Sequence, residues 1–172
     1  MNVLPIAFAA AALAALSQPA AAGDFKTASV SVAGQQRVLT TPFGPIVLLA
    51  TAESTGGAIG MFSTTEPPGA KRPPLAHSGE DEMFHVLAGT YRFVVGSKTI
   101  EGGPGTTIVI PRTVINQYEN IGKTDGHLLV AELPGGFEQF FVDVAEQKAT
   151  TRAAIWALEA AHGITDHGPK PE

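Results

Sequence analysis

The 172-residue sequence contains no cysteine. This absence excludes disulfide bonds, a thiolate nucleophile and any zinc or iron–sulfur site with cysteine ligands. Basic residues are also few, with 11 Lys and Arg against 16 Asp and Glu, and they form no cluster. Nucleic acids and anionic membranes are bound by basic faces, so the formal net charge of −5 argues against both as partners. We expect a small neutral or weakly charged molecule as the ligand.

The amino-terminal segment lacks charged residues altogether. Residues 1–22 contain no Lys, Arg, Asp or Glu and consist of an apolar run, a Ser-Gln-Pro break and an alanine-rich stretch. This pattern predicts a secretory signal peptide cleaved between Ala22 and Gly23, and hence a secreted or periplasmic protein. The usual basic residue near the start is missing, so a retained, membrane-attached segment is the alternative. The run is shorter than the roughly 20 residues that span a bilayer, so we expect no stable membrane span in the mature form.

Short β-branched and apolar runs, separated by glycine- and proline-rich turns, extend from Ala28 to Glu132. Their spacing of roughly 8 to 12 residues is typical of an antiparallel sandwich or barrel. No helical period that could connect parallel strands interrupts them. The dipeptide Gly96-Ser97 is predicted to form a two-residue hairpin turn. The sequence therefore predicts an all-β domain.

The hydrophobic period changes after Pro134. Aromatic and apolar residues now recur at three and four residues, which predicts an amphipathic helix over 136–148 with its aromatic face on the barrel. These residues are Phe137, Phe140, Phe141 and Val144.

A second helix is predicted from Thr151 to His162, with Thr150 as the N-cap and Gly163 ending it. The polar tail that follows is predicted to be loose. We accordingly divide the chain into a leader (1–22), a β-barrel with the first carboxy-terminal helix (23–148), and a second helix with the tail (149–172).

Two segments resemble the two signature motifs of the cupin superfamily. The resemblance covers roughly residues 40–145, and the stretch PGGFEQFF is similar to one that follows the barrel in quercetinase-like members. The matching positions are His77, Glu82 and Gly89 in the first motif, and Gly105, Pro111 and Asn120 in the second. This resemblance implies a double-stranded β-helix, the cupin jelly-roll barrel, with one or two carboxy-terminal helices.

The departures from the family pattern concern the metal ligands. In metal-binding cupins three histidines and one glutamate converge inside the barrel, and here the resemblance retains only His77 and Glu82. Leu75 replaces one histidine, Asn116 replaces another, and Thr113 stands at a motif glycine. Because tight first-row metal sites normally have three good donors, we expect no metal cofactor. The alternative is iron, copper, nickel or manganese held by His77, Glu82 and Asn116.

Without a metal, His77 and Glu82 are predicted to hydrogen-bond to each other in an apolar cavity and to transfer protons. Asn116 and Tyr118 would bind substrate oxygen atoms. Leu75, Phe84 and Val86 are predicted to line the cavity, the last two because they share the strand phase of Glu82.

Other polar residues receive simpler interpretations. His85 is out of phase with Glu82 and should face the opposite side of the sheet. His127 is expected at a strand edge, with the cavity mouth as the alternative. Lys71 and Arg72 flank prolines at the barrel rim and are expected in a solvated loop, with attraction of an anionic ligand as the alternative.

Three functions remain open at this stage. The first is a metal-independent isomerase, cyclase or lyase that uses His77 and Glu82 on a small apolar or aromatic molecule. The second is a metal-dependent dioxygenase resembling quercetinase-like cupins, and the third is a binding module without catalysis. A homodimer that pairs through the runs from Ala28 to Thr41 is also predicted.

Overall fold

A computed structural model describes residues 27–169 and places eleven strands and three helices in this part of the chain. The predicted leader (1–22) lies outside the described residues. The strands are β1 Val38–Thr41, β2 Gly44–Ala50, β3 Gly60–Glu66, β4 Leu75–His77, β5 Asp81–Ala88, β6 Tyr91–Val95, β7 Lys98–Gly102, β8 Thr107–Ile110, β9 Asn116–Asn120, β10 Gly126–Leu133 and β11 Ile164–Asp166. The helices are α1 Ala52–Thr55, α2 Glu138–Glu146 and α3 Arg152–Ala161.

The strands form two antiparallel sheets, as the turn spacing and the motifs predicted. One sheet has six strands in the order β1-β2-β3-β10-β5-β8, and the other has five in the order β11-β4-β9-β6-β7. Alternate residues of each strand point into the space between the sheets, where the buried core includes Phe84, Val86, Phe93, Leu128 and Val130. The all-β jelly-roll prediction is confirmed.

This chain keeps one glycine of the cupin motifs and replaces another. Gly89 has φ +87, and a Cβ there would lie 2.6 Å from the Cα of Gly126, so only glycine fits. Thr113 stands where the family has glycine and has φ 69, a left-handed conformation that costs a threonine of order 1 kcal/mol. Its backbone N–H donates to the carbonyl of His77 at 2.7 Å, a bond that holds this turn against the strand β4.

The aromatic face of α2 lies on the barrel as predicted. Phe141 packs edge-on against Phe62 of β3, with ring centroids 4.9 Å apart, and Phe140 lies 5.9 Å from the ring of Phe43. Phe137, which directly precedes the helix, stacks on Phe140. None of the described helices is both long and apolar enough to cross a bilayer.

The ends of the described chain differ from the sequence-based expectations. Only Val38–Thr41 of the predicted amino-terminal runs forms a strand. The N-cap of α3 is Thr151 and not Thr150, because the extended backbone of Thr151 lets its hydroxyl accept from the N–H of Ala154. The predicted loose tail is also wrong in part, since Ile164–Asp166 pairs with β4.

A buried charged cluster fixes α3 to β11. Arg152 at the start of α3 donates to Glu159, one turn before the helix ends, and to Asp166 of β11. The residue Glu159 is 3 % exposed. Burial, together with the adjacent carboxylate of Asp166, raises the pKa of Glu159 to about 7, and Arg152 only partly opposes this. The carboxy-terminal unit, formed by α3 and β11, therefore holds a carboxyl group that takes up a proton near neutral pH.

We expect the stability of the protein to fall as pH rises from about 4.5 to 7. In this window Glu159 is protonated in the folded chain and ionised in the unfolded chain, so folding takes up a proton that becomes scarcer as pH rises. Glu159 should contribute about 1–3 kcal/mol to this loss, and Glu159→Gln should remove that share of the slope while Glu82 and Glu132 keep theirs. Urea titrations of both proteins across this range test the expectation. The exposed-site variant Glu146→Gln should keep the wild-type slope, and an equal slope in Glu159→Gln would contradict the assignment.

Candidate functional site

An apolar cavity lies between the two sheets and is closed on one side by the carboxy-terminal helices. The space open to the centre of a water molecule is about 60 Å³, so the occupant must be small. Aromatic rings from β3, β5, β9 and α2 form most of its wall. The polar groups at the wall are Thr64, Arg72, His77, Glu82, Asn116, Tyr118 and Glu159. A few polar groups in an apolar cavity are typical of a small-molecule site.

His77 ends the short strand β4 and is 4 % exposed. Its ring stands edge-on to Phe137 at 4.5 Å. Its Nδ1 atom is buried without a hydrogen-bond partner and lies 3.8 Å from Oε2 of Glu80. Burial lowers the pKa of His77, but the carboxylates of Glu80 and Glu82 outweigh burial and raise the pKa above its ordinary value.

Glu82 on β5 and Glu132 on β10 face each other across neighbouring strands, where they form a register pair. Both are buried, and within residues 27–169 neither carboxylate oxygen of Glu132 has a hydrogen-bond partner. Asn116 on β9 donates through Nδ2 to Oε2 of Glu82 at 3.2 Å. Only Glu82 of the pair lies in the cavity wall, so Glu132 lies behind it.

Both carboxyl groups are buried close to other carboxyl groups. Burial raises the pKa of Glu82, although His77 and Asn116 oppose the shift. Burial and then the charge of Glu82 raise the pKa of Glu132 well above its ordinary value. Two adjacent buried carboxyls cannot both ionise at low cost, so the pair retains a proton or requires a cation.

The predicted hydrogen bond between His77 and Glu82 is wrong. Their closest atoms, Nε2 and Oε1, lie 3.7 Å apart, which is too far for a hydrogen bond. Glu82 is instead held by Asn116, whose amide donates to the other oxygen of Glu82.

The donor set for a metal differs from the one that the sequence indicated. His77, Glu82 and Glu132 each place one ligand atom within 4.8 Å of the others. Two ligand atoms bound at about 2 Å to one ion lie roughly 3–4 Å apart, so the 3.7 Å separation of His77 and Glu82 fits such a site. Asn116 instead points its Nδ2 at Glu82. These three residues could therefore hold a divalent cation, and Asn116 is replaced by Glu132 in the ligand set.

Tyr118 and Arg72 form a second polar group in the same wall. The hydroxyl of Tyr118 donates to Oε1 of Glu66 at 2.8 Å and accepts from Nε of Arg72 at 3.1 Å. The Tyr118 hydroxyl hydrogen is therefore engaged within the protein and does not point to a substrate. Arg72 also donates to Glu66 and lies 4.7 Å above the ring of Phe43. The expectation of a solvated Arg72 is wrong, because these partners draw it into the wall.

The remaining predicted residues divide into lining and non-lining positions. Leu75 and Phe84 line the cavity. Val86, two residues beyond Phe84 on the same strand face, is buried in the core but is not part of the cavity wall, so that prediction is wrong. His85 faces away from the cavity and contacts Thr107. His127 is exposed at the edge position expected for it and contacts Thr65.

The sequence reasoning missed Glu132 and the pair formed by Glu66 and Arg72. Glu132 shares the strand phase of Leu128 and Val130, both buried, so alternation on β10 was the signal that could have placed its carboxylate inside. Glu66 likewise shares the strand phase of Phe62 and Thr64 on β3, both buried. Arg72 has no such signal, because it meets Glu66 through the turn of the loop after β3.

Comparisons with known proteins agree with this geometry. Residues 62–132 match the family described as Cupin domain. No curated protein matches the chain. The structure of KdgF from Halomonas sp. is similar with a TM-score of 0.58 and 15 % identity, over 66 % of this chain and 99 % of that one. An RmlC-like cupin from Shewanella frigidimarina is similar with a TM-score of 0.55 and 16 % identity, over 63 % of this chain and 93 % of that one.

At these identities the likeness establishes the fold, and the matched segment contains both Glu82 and Glu132. Together, the two-sheet barrel, the motif positions and the matched segment show that this chain has the cupin fold and contains a cupin domain over residues 62–132.

Proposed function

We propose that this cupin binds a small organic molecule in its barrel and acts on it by proton transfer, as an isomerase or lyase that needs no metal. The observation that carries the proposal is the burial of Glu82 directly opposite Glu132, a pair whose raised pKa values favour retention of one proton. A carboxylate that faces an apolar cavity, with a protonated carboxyl behind it, has the acid and base forms that proton transfer needs near neutral pH.

Glu82 is the group placed to take a proton from the substrate. When the substrate C–H bond breaks, its electron pair stays on the substrate and the proton moves to a Glu82 oxygen. Return of the proton to another carbon gives an isomer, whereas departure of a group from the next carbon gives an alkene and completes an elimination. His77, whose pKa is raised, is placed to donate to a substrate oxygen that becomes negative.

Glu132 and Asn116 act through Glu82. Asn116 fixes one oxygen of Glu82, which leaves Oε1 on the side of His77. Glu132 changes the proton affinity of Glu82 through its own charge and protonation. Both are positioning residues in this scheme.

We expect the protein to accelerate exchange of solvent deuterium into small carbonyl compounds with acidic C–H bonds. Glu82→Gln should reduce the exchange rate by roughly 10²-fold or more, because general-base catalysis contributes that much. Proton NMR in D₂O over a panel of such compounds measures it. Glu119→Gln is the matched control, since Glu119 lies on β9 facing away from the cavity. If wild type and Glu82→Gln exchanged deuterium at the same rate for every compound, the protein would be a binding module without catalysis.

A second candidate is a metal-dependent cupin, including a dioxygenase. It is favoured by the three donors of His77, Glu82 and Glu132 and by the unpartnered oxygens of Glu132. A bound divalent ion would polarise a substrate oxygen or, if redox-active, support oxidation by dioxygen. Glu80, near Nδ1 of His77, would then orient the imidazole.

Metal analysis separates the two candidates. For the proton-transfer enzyme we expect substoichiometric iron, copper, nickel and manganese in purified protein, and deuterium exchange that survives a chelator. A stoichiometric ion that is lost from both Glu82→Gln and Glu132→Gln, and retained in Glu119→Gln, would select the metal-dependent function.

Export and self-association stay predictions from the sequence. β1 is an edge strand of the six-stranded sheet, and Val30, Val32 and Val38 are all at least half exposed, which supports pairing of two copies along this edge. We expect sedimentation at micromolar concentration to give twice the monomer mass, and Val38→Lys to return it to the monomer. A monomer at all concentrations would contradict the pairing.

Intact mass after expression in a secreting host tests cleavage after Ala22.

A further inference from the structure

Arg72 stands at the other end of the cavity wall from the carboxyl pair. It is the one guanidinium among the residues that line the cavity, and its side chain is 18 % exposed. It is held from three sides, by the carbonyl of Phe43, by Glu66 and by the hydroxyl of Tyr118. Because these partners lie on different elements, the guanidinium is fixed in place before any ligand arrives.

The hydrogen bonds of Arg72 leave part of the guanidinium unused. Its Nε donates to Tyr118, and its Nη2 donates to Phe43 and Glu66. A guanidinium has five N–H groups, so these bonds use three. Among the described residues Nη1 has no hydrogen-bond partner, so its two N–H groups remain for a ligand.

The distance between the two polar ends limits the ligand. Asn116 and Tyr118 are two residues apart on β9 and both side chains point inward. Two residues along a strand correspond to roughly 7 Å. The end of the cavity with Glu82 and the end with Arg72 are therefore separated by about this distance. The rings of Phe84 and Tyr118, with centroids 5.1 Å apart, form an apolar wall between them.

The charges at the two ends of the cavity determine the orientation of an anionic ligand. Glu82 and Glu132 make one end of the cavity unfavourable for a second negative group. Arg72 offers charge-assisted hydrogen bonds at the other end. An acid group near Arg72 would therefore leave the far end of the molecule at Glu82.

From this we infer that Arg72 is a specificity-determining residue that binds the carboxylate of a small planar organic acid and so turns the opposite end of that acid toward Glu82. The inference rests on the proposed function and names its substrate class. Only Nη1 is available, so one carboxylate oxygen is bound. Glu66 has a double effect, because it fixes Arg72 but also offsets its charge.

Benzoate and benzamide are the probes, since they share a planar ring and differ in charge at neutral pH. We expect benzoate to bind wild type at least tenfold more tightly than benzamide in calorimetry. Arg72→Gln should abolish this preference. Glu66→Gln should increase it, because the guanidinium loses its competing anion, and a merely structural role of Arg72 does not predict an increase. Arg92→Gln, at an exposed arginine paired with Glu101, is the matched control and should bind as wild type.

Arg72→Gln leaves Glu66 buried without its cation, which destabilises the fold. The double variant Glu66→Gln/Arg72→Gln makes the same comparison without a buried unpaired charge. Equal affinities for the two probes in wild type, or a preference for benzoate that survives in the double variant, would overturn the inference. Glu82→Gln should bind benzoate yet lose deuterium exchange. Loss of exchange in that variant, without any benzoate preference in wild type, removes the carboxylate subsite and leaves the proposed function standing.

Discussion

The register between β5 and β10 is the constraint on which the site depends. It places Glu82 directly opposite Glu132, and strand alternation turns both carboxyls into a core otherwise formed by apolar side chains. Two ionised carboxylates at this position would cost several kcal/mol. Within residues 27–169 the basic group paired with Glu82 is His77, whose Nε2 lies 3.7 Å from Oε1 of Glu82, too far for a hydrogen bond. The pair is therefore stable only with a proton or a divalent cation, and both functional candidates follow from that requirement.

The same alternation on β9 arranges the rest of the wall. Asn116, Tyr118 and Asn120 all point inward, and each serves a different part of the fold. Asn116 binds Glu82, Tyr118 binds Glu66, and Asn120 holds the loop that follows it by accepting from the N–H of Gly122. One strand thus connects the carboxyl pair to the arginine cluster. The separation of the two polar ends is set by strand geometry and not by flexible side chains, which favours ligands of one length.

The fold could be predicted from the sequence because its signals are local. Turn residues separate the strands, the hairpin at Gly96-Ser97 joins β6 to β7 as expected, and Gly89 is required by a close approach to Gly126. The aromatic period after Pro134 is likewise a local signal, and α2 follows it. The cupin motifs then fixed the topology that local signals leave open.

The site could be predicted only where a motif marked it. His77 and Glu82 were found in this way, whereas Glu132 lies outside both motifs and is identified by its partner on another strand. Ion pairs between segments that fold back on each other, such as Glu66 with Arg72, leave no periodic pattern. The distance between His77 and Glu82 was also beyond sequence reasoning, because it depends on how β4 and β5 are placed relative to each other.

The carboxy-terminal strand links the stability of the fold to the position of the imidazole. β4 has three residues and joins β9 through a single register pair, Leu75 with Asn116. Its other edge is paired along its whole length by β11, where Ile164 lies opposite His77. β11 is in turn fixed to α3 by Arg152 and Asp166. Since β4 has so little support from the barrel itself, the carboxy-terminal unit determines where His77 stands, although it lies outside the segment matched by the cupin family. A cupin that lost this unit would keep its carboxyl pair but not the geometry of its histidine.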